Sequence, residues 1–245
     1  MRLKSYFASD IKNKEELALQ CVDIANKAKF NTDFQDVYDH LFFGDNLMLV
    51  FAYDDLDNMA GFSSLFLTRE ESSIPHIHLN GVIVNPDHQK HGIARLMLSR
   101  AVGYVCGMNE NSEERNIDIS LSARTQNPAI YRLMYKTSNV VSPTLKGDVN
   151  PKHYEILKKM DDKLYPFLGN YNEKFIVKDA YSSTKVHADV RDEAVKVLFS
   201  ELGELDAYVI FGEKAVRLDD QQIMLGIEDY RETLHNCESE EFSEM

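Results

Sequence analysis

The residues with the clearest chemical meaning lie in a turn between a predicted strand, His76 to Val84, and a predicted helix that follows it. The turn contains the pattern Gln89-x-x-Gly92-x-Ala94. The first N–H groups of a helix have no intrahelical acceptor, and the helix dipole adds partial positive charge at the same end. Small residues let an anion approach the main chain closely. The turn is therefore predicted to bind a phosphate group.

The pattern is neither a Walker loop nor the dinucleotide G-x-G-x-x-G motif. Preceded by Val84-Asn85-Pro86, it closely resembles the Gln/Arg-x-x-Gly-x-Gly/Ala signature of the GNAT acyltransferase superfamily. The resemblance covers about Arg2 to Lys136, where the predicted order is strand, two helices, three antiparallel strands, helix, strand and helix. It implies an α/β (α+β) fold with a mixed central sheet, flanking helices and a splayed cofactor cleft. An ordinary strand-to-helix turn in another α/β domain is the alternative.

The resemblance also implies where acetyl-coenzyme A would bind. In the family, the strand before the turn pairs through its backbone with the pantetheine arm, and the amides of the turn bind the pyrophosphate. The corresponding residues of this sequence are Val82, Ile83, Val84, Gln89, Lys90, His91, Gly92, Ile93, Ala94 and Arg95.

A general base for the incoming amine is expected on the same strand. Some family members carry a Glu eleven residues before the Gln/Arg of the signature, and here that position holds His78. Histidine suits the task because its unperturbed pKa is ~6.5. His76 and Asn80 are predicted on the same strand face and could relay a proton through water. The alternative is that both histidines are polar residues satisfied by the surrounding sheet.

A general acid for the leaving thiolate is expected on the helix that follows Asn127-Pro128. The family often has an Asn at the start of this helix and a Tyr seven residues later; Asn127 matches, but the Tyr position holds Met134. Tyr131 and Tyr135 are therefore the candidate acids, and Asn127 and Tyr131 are candidate pantetheine contacts. A helix cap for Asn127, packing for the tyrosines, and departure of the thiol without an acid remain open.

Composition limits the classes of partner. The chain has 245 residues and a formal net charge of -13, which argues against sequence-independent nucleic-acid binding. Its three cysteines are scattered and make neither a disulfide framework nor a metal-ligand spacing. No apolar run is long enough to span a bilayer, so a cytoplasmic protein without membrane or metal is expected. Arg124, at the end of a predicted strand, is a candidate contact for the acceptor or a phosphate, or a solvated strand end.

The C-terminal half is predicted less completely. Residues 1–217 are expected to form one domain, with helical insertions between 137 and 206 and with Phe175–Ala180 and Ala207–Phe211 as the two strands that close the sheet. A small separate C-terminal domain is the alternative. Residues 218–245 are expected to form an acidic extension whose last ten or so residues are disordered.

The function implied by the resemblance is transfer of an acetyl group from acetyl-coenzyme A to a primary amine, by direct attack in a ternary complex. The acceptor, a small molecule or a protein, is not identified by the sequence, and a homodimer is left open. The alternatives are a GNAT-fold protein that binds acyl-coenzyme A without turnover, and an acyltransferase that uses a longer acyl chain.

Overall fold

The computed structural model describes residues 1–30, 32–44, 46–68, 75–108, 118–181 and 190–243, without the side chains of 161, 162, 165 and 234–243. The strands are β1 (Arg2–Phe7), β2 (Leu47–Tyr53), β3 (Met59–Thr68), β4 (His76–Val84), β5 (Ser120–Thr125), β6 (Ser138–Ser142), β7 (Ile176–Val177) and β8 (Ala207–Ala215). The α-helices are α1 (Lys14–Lys27), α2 (Phe34–Phe42), α3 (Ile93–Gly107), α4 (Pro128–Thr137), α5 (Pro151–Lys159), α6 (Asp161–Leu168), α7 (Glu193–Ser200) and α8 (Asp220–Ser243).

The described strands form one mixed sheet in the order β1-β2-β3-β4-β5-β8-β6, with β7 also paired to β8. Neighbours are antiparallel except β4 and β5, which are parallel. The central position of β2 agrees with its sequence, because an apolar strand such as Leu47–Tyr53 needs cover on both faces. The mixed sheet flanked by helices confirms the predicted fold class.

Helices cover both faces of the sheet and divide the core. Helices α3 and α4 pack on one face against apolar residues of β2 to β5, including Ile77, Leu79 and Ala123. Helices α1 and α2 pack on the other face, and α5 and α6 cover the part of that face near β8. Residues of β4 and β5 therefore meet either the α3–α4 side or the α2–α6 side, according to strand alternation.

One closing strand differs from the sequence prediction. Ala207–Phe211 lies within β8 as expected, but the strand that follows α4 is β6, and Phe175–Ala180 contributes only the two residues of β7. The predicted strand at 175–180 is therefore wrong as the sixth strand of the sheet. The reason is local: β6 begins directly after Thr137 with no turn residue between, so the sequence gives no sign that α4 has ended.

The helical insertion accordingly lies between β6 and β8, and residues 182–189 within it are outside the described residues.

Helix α8 packs closely on α3: a Cβ on Gly103 would lie 2.1 Å from the carbonyl oxygen of Ile223. Arg100 of α3 also donates from Nε and Nη2 to the Asp229 carboxylate at 2.7 and 2.6 Å. The predicted domain limit at residue 217 and the disorder of the last ten residues stay predictions.

Candidate active site

A cleft opens where β4 and β5 stop pairing. The two strands are paired from His76–Ser120 to Leu79–Ala123, and the described residues beyond Leu79 make no further pair between them. A cavity of about 300 Å³ lies at this split. It reaches from Asn127 and Ile130 near α4 to α2 on the opposite side of the sheet. The walls of the cavity therefore come from both faces of the sheet.

The turn after β4 has the backbone geometry of an anion site. Gly92 is the N-cap of α3 with φ 78°, and Lys90 also has a positive φ, 70°. None of the amide N–H groups from Lys90 to Arg95 has an acceptor among the described residues. No atom lies within 4 Å of the point where a Gly92 Cβ would be. Consecutive free amides at a helix N-terminus form the seat that a pyrophosphate requires, so this part of the chain fits coenzyme A.

Gln89 fixes the turn to the strand. Its Nε2 donates to the carbonyl oxygen of Val84 at 3.1 Å, which ties the end of β4 to the start of the turn. Val82 and Ile83 line the cleft, and Val84 pairs with Gly61 of β3. The backbone edge of Val82 to Val84 that faces β5 has no strand partner in the described chain, as pairing to a pantetheine arm would need.

The structure corrects the expectation for His78. This side chain is only 1% exposed, does not line the cleft, and lies under the ring of Phe167 from α6, with ring centroids 5.5 Å apart. Burial, with smaller contributions from His76 and Arg124, holds its pKa well below the ordinary value. In this position His78 cannot contact an amine in the cleft.

His78 instead belongs to a buried chain of hydrogen bonds. Its Nδ1 lies 2.8 Å from Ser122 Oγ, which lies 2.7 Å from His76 Nε2, and His76 Nδ1 lies 2.8 Å from Ser120 Oγ. Burial lowers the pKa of His76 to about 3. Both imidazoles are therefore held neutral by burial, and hydroxyls of β5 partner both ring nitrogens of His76 and Nδ1 of His78.

The tyrosine predictions are corrected in the same way. Tyr131 is fully buried, and its hydroxyl donates to the carbonyl oxygen of Pro143 at 2.9 Å. Burial, and then Tyr135 beside it, raises the Tyr131 pKa. Tyr135 is 49% exposed and, like Tyr131, does not line the cleft. Neither hydroxyl is placed to protonate a thiolate there, and Tyr131 is not placed to contact a cofactor.

Asn127 caps α4, as the sequence predicted, and its cofactor contact stays a prediction. Its Oδ1 accepts from the Ala129 N–H at 2.9 Å and caps α4, and the residue also lines the cleft. The capping bond uses the carbonyl oxygen, so the Nδ2 group remains available to a ligand. Helix cap and cofactor contact are compatible roles for Asn127.

Sequence reasoning missed the polar residues that α2 contributes to the cleft. His40 and Asp36 both line it, and the Asp36–His40 pair is half-exposed. His40 Nδ1 lies 2.7 Å from the Asp36 carbonyl oxygen, so this nitrogen carries the proton and Nε2 keeps its lone pair in the neutral ring. The spacing of four residues on a helix was a visible signal, but nothing in it showed that α2 faces β4.

Asn80 joins α2 to the strand beside the cleft. Its Nδ2 donates to the His40 carbonyl oxygen at 2.9 Å and to Ser64 Oγ at 3.1 Å. Asn80 is the extra residue of a β-bulge, because Leu79 pairs with Leu65 and Gly81 with Ser64. The bulge turns Asn80 into the cleft while His78, two residues earlier, stays under α6.

Other site types receive no support from the described residues. They include no group of three or more His, Cys, Asp or Glu side chains arranged to hold a metal ion. Within the same residues, no helix combines the length and apolar character needed to cross a bilayer.

Comparison with known proteins agrees with this geometry. Residues 16–117 match the sequence profile of the acetyltransferase (GNAT) family, a segment that includes the turn and most of the strands beside it. This segment of the chain is therefore similar to the acetyltransferases of the GNAT family. The residues after 117, which supply β5 and the whole insertion, lie outside the matched segment.

The solved structures found by structural comparison have low sequence identity to this chain. Naa20 of Chaetomium thermophilum, in complex with a bisubstrate analogue, is 16% identical, with 87% of each chain covered and a TM-score of 0.40. A GNAT-family acetyltransferase of Streptococcus pneumoniae is 13% identical, with 86% of this chain and 99% of that chain covered and a TM-score of 0.38. A ribosomal-protein-alanine N-acetyltransferase of Brucella melitensis biovar Abortus 2308 is 17% identical, with 50% and 79% covered and a TM-score of 0.32.

Likenesses this distant carry no information about the acceptor. No curated protein has significant sequence similarity to the chain.

Proposed function

We propose that this protein transfers an acetyl group from acetyl-coenzyme A to a primary amine within a ternary complex. The observation that carries the proposal is the run of free amides from Lys90 to Arg95, placed at one end of the split between β4 and β5. A phosphate seat next to an unpaired strand edge suits a ligand that has both a pyrophosphate and a peptide-like arm.

The chain's residues divide the binding of the donor between them. The amides of the turn bind the pyrophosphate, the free edge of Val82 to Val84 pairs with the arm, and Asn127 Nδ2 donates to it from the opposite wall. Acetyl-coenzyme A supplies the acetyl group as a thioester. An N–H of β4, with Val82 as the candidate, polarises the thioester carbonyl.

His40 is the residue proposed to take the proton from the amine. Its Nδ1–H is held by the Asp36 carbonyl oxygen, so Nε2 is the basic nitrogen. The amine nitrogen forms a bond to the carbonyl carbon, the carbon–sulfur bond breaks, and the amine proton passes to Nε2 directly or through a water. No tyrosine hydroxyl is needed, because a thiol of pKa ~8.5 leaves readily as the thiolate.

Free-thiol release from acetyl-coenzyme A with a panel of amines, run beside a calorimetric titration of coenzyme A, tests the proposal. Saturable binding and amine-dependent thiol release are expected. Absence of coenzyme A binding would contradict it outright.

A second candidate is a protein that binds acyl-coenzyme A without turnover. The burial of His78 and Tyr131 favours it, because both residues predicted to do acid–base chemistry are withdrawn from the cleft. Coenzyme A binding together with no amine-dependent thiol release would support this candidate instead.

A further inference from the structure

Arg124 lies on the face of the sheet opposite the phosphate seat. On β5, Leu121 and Ala123 point into the core under α3 and α4, whereas Ser122 contacts the two buried histidines on the α6 side. By alternation Arg124 shares the face of Ser122. Its influence on the pKa of His78 agrees with that placement. The guanidinium therefore enters the cleft from the side of α2 and the insertion, away from the turn at Lys90 to Arg95.

Among the described residues, the guanidinium of Arg124 has no acidic partner. Among the described residues that line the cleft it is the only arginine or lysine side chain. No Asp or Glu of the described chain lies within ion-pair distance of it. This is notable because the sequence has 40 acidic and 27 basic residues. A charge in a cleft is costly to leave unpaired, so a partner from outside the chain is expected.

Tyr181, from the insertion, fixes the position of Arg124. The guanidinium carbon lies 5.7 Å from the centre of the Tyr181 ring, and the Tyr181 hydroxyl donates to the Arg124 carbonyl oxygen at 3.3 Å. Both residues line the cleft. A guanidinium group presents several N–H donors in one plane, and this geometry matches the two oxygens of a carboxylate.

The opposite wall carries groups that suit an amine. Asp36 provides a carboxylate, the Asn80 Oδ1 has no partner among the described residues, and His40 provides a basic nitrogen. The compartment thus has a cation at one end and acceptors at the other. A cavity of about 300 Å³, shared with the end of the donor, leaves room for a small molecule.

We propose that the acyl acceptor is a small amine that also bears a carboxylate, an amino acid or a close analogue, and that Arg124 binds the carboxylate. This inference rests on the proposed acetyltransferase function and adds the acceptor class. The amine of the acceptor then lies toward Asn80 and His40. Its carboxylate lies against Arg124, which Tyr181 holds in position.

The test uses matched pairs of primary amines that differ only in charge. The rate of thiol release from acetyl-coenzyme A is measured with each common L-amino acid and with its carboxamide. Glycine, β-alanine and 4-aminobutyrate are compared with their carboxamides in the same way. For the preferred pair, kcat/KM is expected to be about 10- to 100-fold higher for the carboxylate, the range of a charge-assisted hydrogen bond pair. The same amino acid is titrated calorimetrically into the protein saturated with coenzyme A, as a readout independent of turnover.

Two variants and a control separate recognition from folding. Arg124→Met is expected to remove both the preference and the binding heat, while Arg124→Lys keeps part of each because it keeps the charge. Arg132→Met is the matched control: Arg132 lies on α4, lines no part of the cleft, and its loss removes the same charge. It is expected to keep the preference of the unmodified protein.

The outcomes distinguish this inference from the function on which it rests. Equal or better turnover of the carboxamides, retention of the preference in Arg124→Met, or no turnover of any carboxylate-bearing amine overturns the inference while coenzyme A still binds. If the unmodified protein gives no heat with coenzyme A, the proposed function fails, and the inference fails with it.

Discussion

The proposed donor side and the proposed acceptor side of the cleft are built from different parts of the chain. The donor side is one continuous stretch, from β4 through the turn at Gly92 into α3, and its contacts come from backbone amides. The acceptor side brings together side chains from α2, β5 and the insertion, represented by His40, Arg124 and Tyr181. The first side lies inside the segment that matches the GNAT family, whereas Arg124 and Tyr181 lie outside it.

The two sides of the cleft differ in what determines them: backbone conformation on one side and the identity of side chains on the other. A binding site made of backbone groups depends on backbone conformation. It restricts the residue type only at positions where that conformation requires a particular residue, such as glycine at positive φ. A side-chain site depends on which residues the fold brings together, and those are free to vary. The donor is thus read from a short pattern, and the acceptor only from the assembled structure.

The largest effect is expected at the donor side. Gly92→Glu places a carboxylate in the phosphate seat and a side chain at φ 78°, so coenzyme A affinity should fall at least about 100-fold in calorimetric titration. Gly44→Glu is the control, because Gly44 also has a positive φ, 98°, and open space at its Cβ but does not line the cleft. Equal loss in both variants would show that strain or charge, and not the seat, is responsible.

The next effect separates the two histidine positions. His40→Gln should lower kcat about 100-fold or more with little change in coenzyme A affinity, because it removes the proposed base and leaves the donor side intact. The buried His78 should matter through stability instead, so His78→Gln should lower the melting temperature more than it lowers kcat. If His78→Gln alone removes turnover in a folded protein, the acceptor side is assigned to the wrong histidine.

A third effect concerns stability and pH. His76 and His78 have pKa values in the folded protein below that of an unfolded histidine, about 3 for His76, so the folded state resists their protonation and the unfolded state does not. The neutral histidines therefore contribute fully to the free energy of unfolding above about pH 6.5. This contribution is lost as the pH falls from there toward their pKa values in the folded protein. Between pH 7 and pH 5 the free energy of unfolding should drop by about 2 kcal/mol for His76, and His78 should add to the drop in the same direction.

Chemical denaturation at pH 7, 6 and 5 measures this drop. His76→Gln should make the dependence of the free energy of unfolding on pH shallower. A flat stability between pH 7 and pH 5 would contradict the buried, neutral state of the pair.

The smallest effect is expected at Tyr131. Tyr131→Phe removes the hydrogen bond to the Pro143 carbonyl and should cost about 1 kcal/mol of stability, while kcat changes less than about threefold. Denaturation and thiol release check the two numbers together, with the exposed Tyr135→Phe as control. A large fall in kcat without a fall in stability would restore Tyr131 as the general acid.

The turn and the order of elements through α4 could be predicted from the sequence because local rules determine them. Gly92 sits where the backbone needs a positive φ, Asn127 and Pro128 start a helix, and the apolar run of β2 requires a central position. β6 could not be predicted, since no turn residue separates it from α4.

The acceptor side could not be predicted because it depends on contacts between distant segments. His78 matched the position of a base along the strand, but Phe167, 89 residues later, covers it. Alternation predicted Asn80 on the face of His78, and the bulge at Asn80 changes the relation between them. His40 and Arg124 meet the same cleft only because α2 and β5 flank β4.

Hydrogen exchange at the turn, with and without coenzyme A, tests the central claim most directly. The amides from Lys90 to Arg95 have no acceptor among the described residues, so they should exchange rapidly in the free protein. Saturating coenzyme A should slow their exchange strongly, together with that of Val82 to Val84, and should leave the amides of β1 unchanged. Coenzyme A binding that leaves exchange at Lys90 to Arg95 unaltered would contradict the assignment of this turn as the donor site.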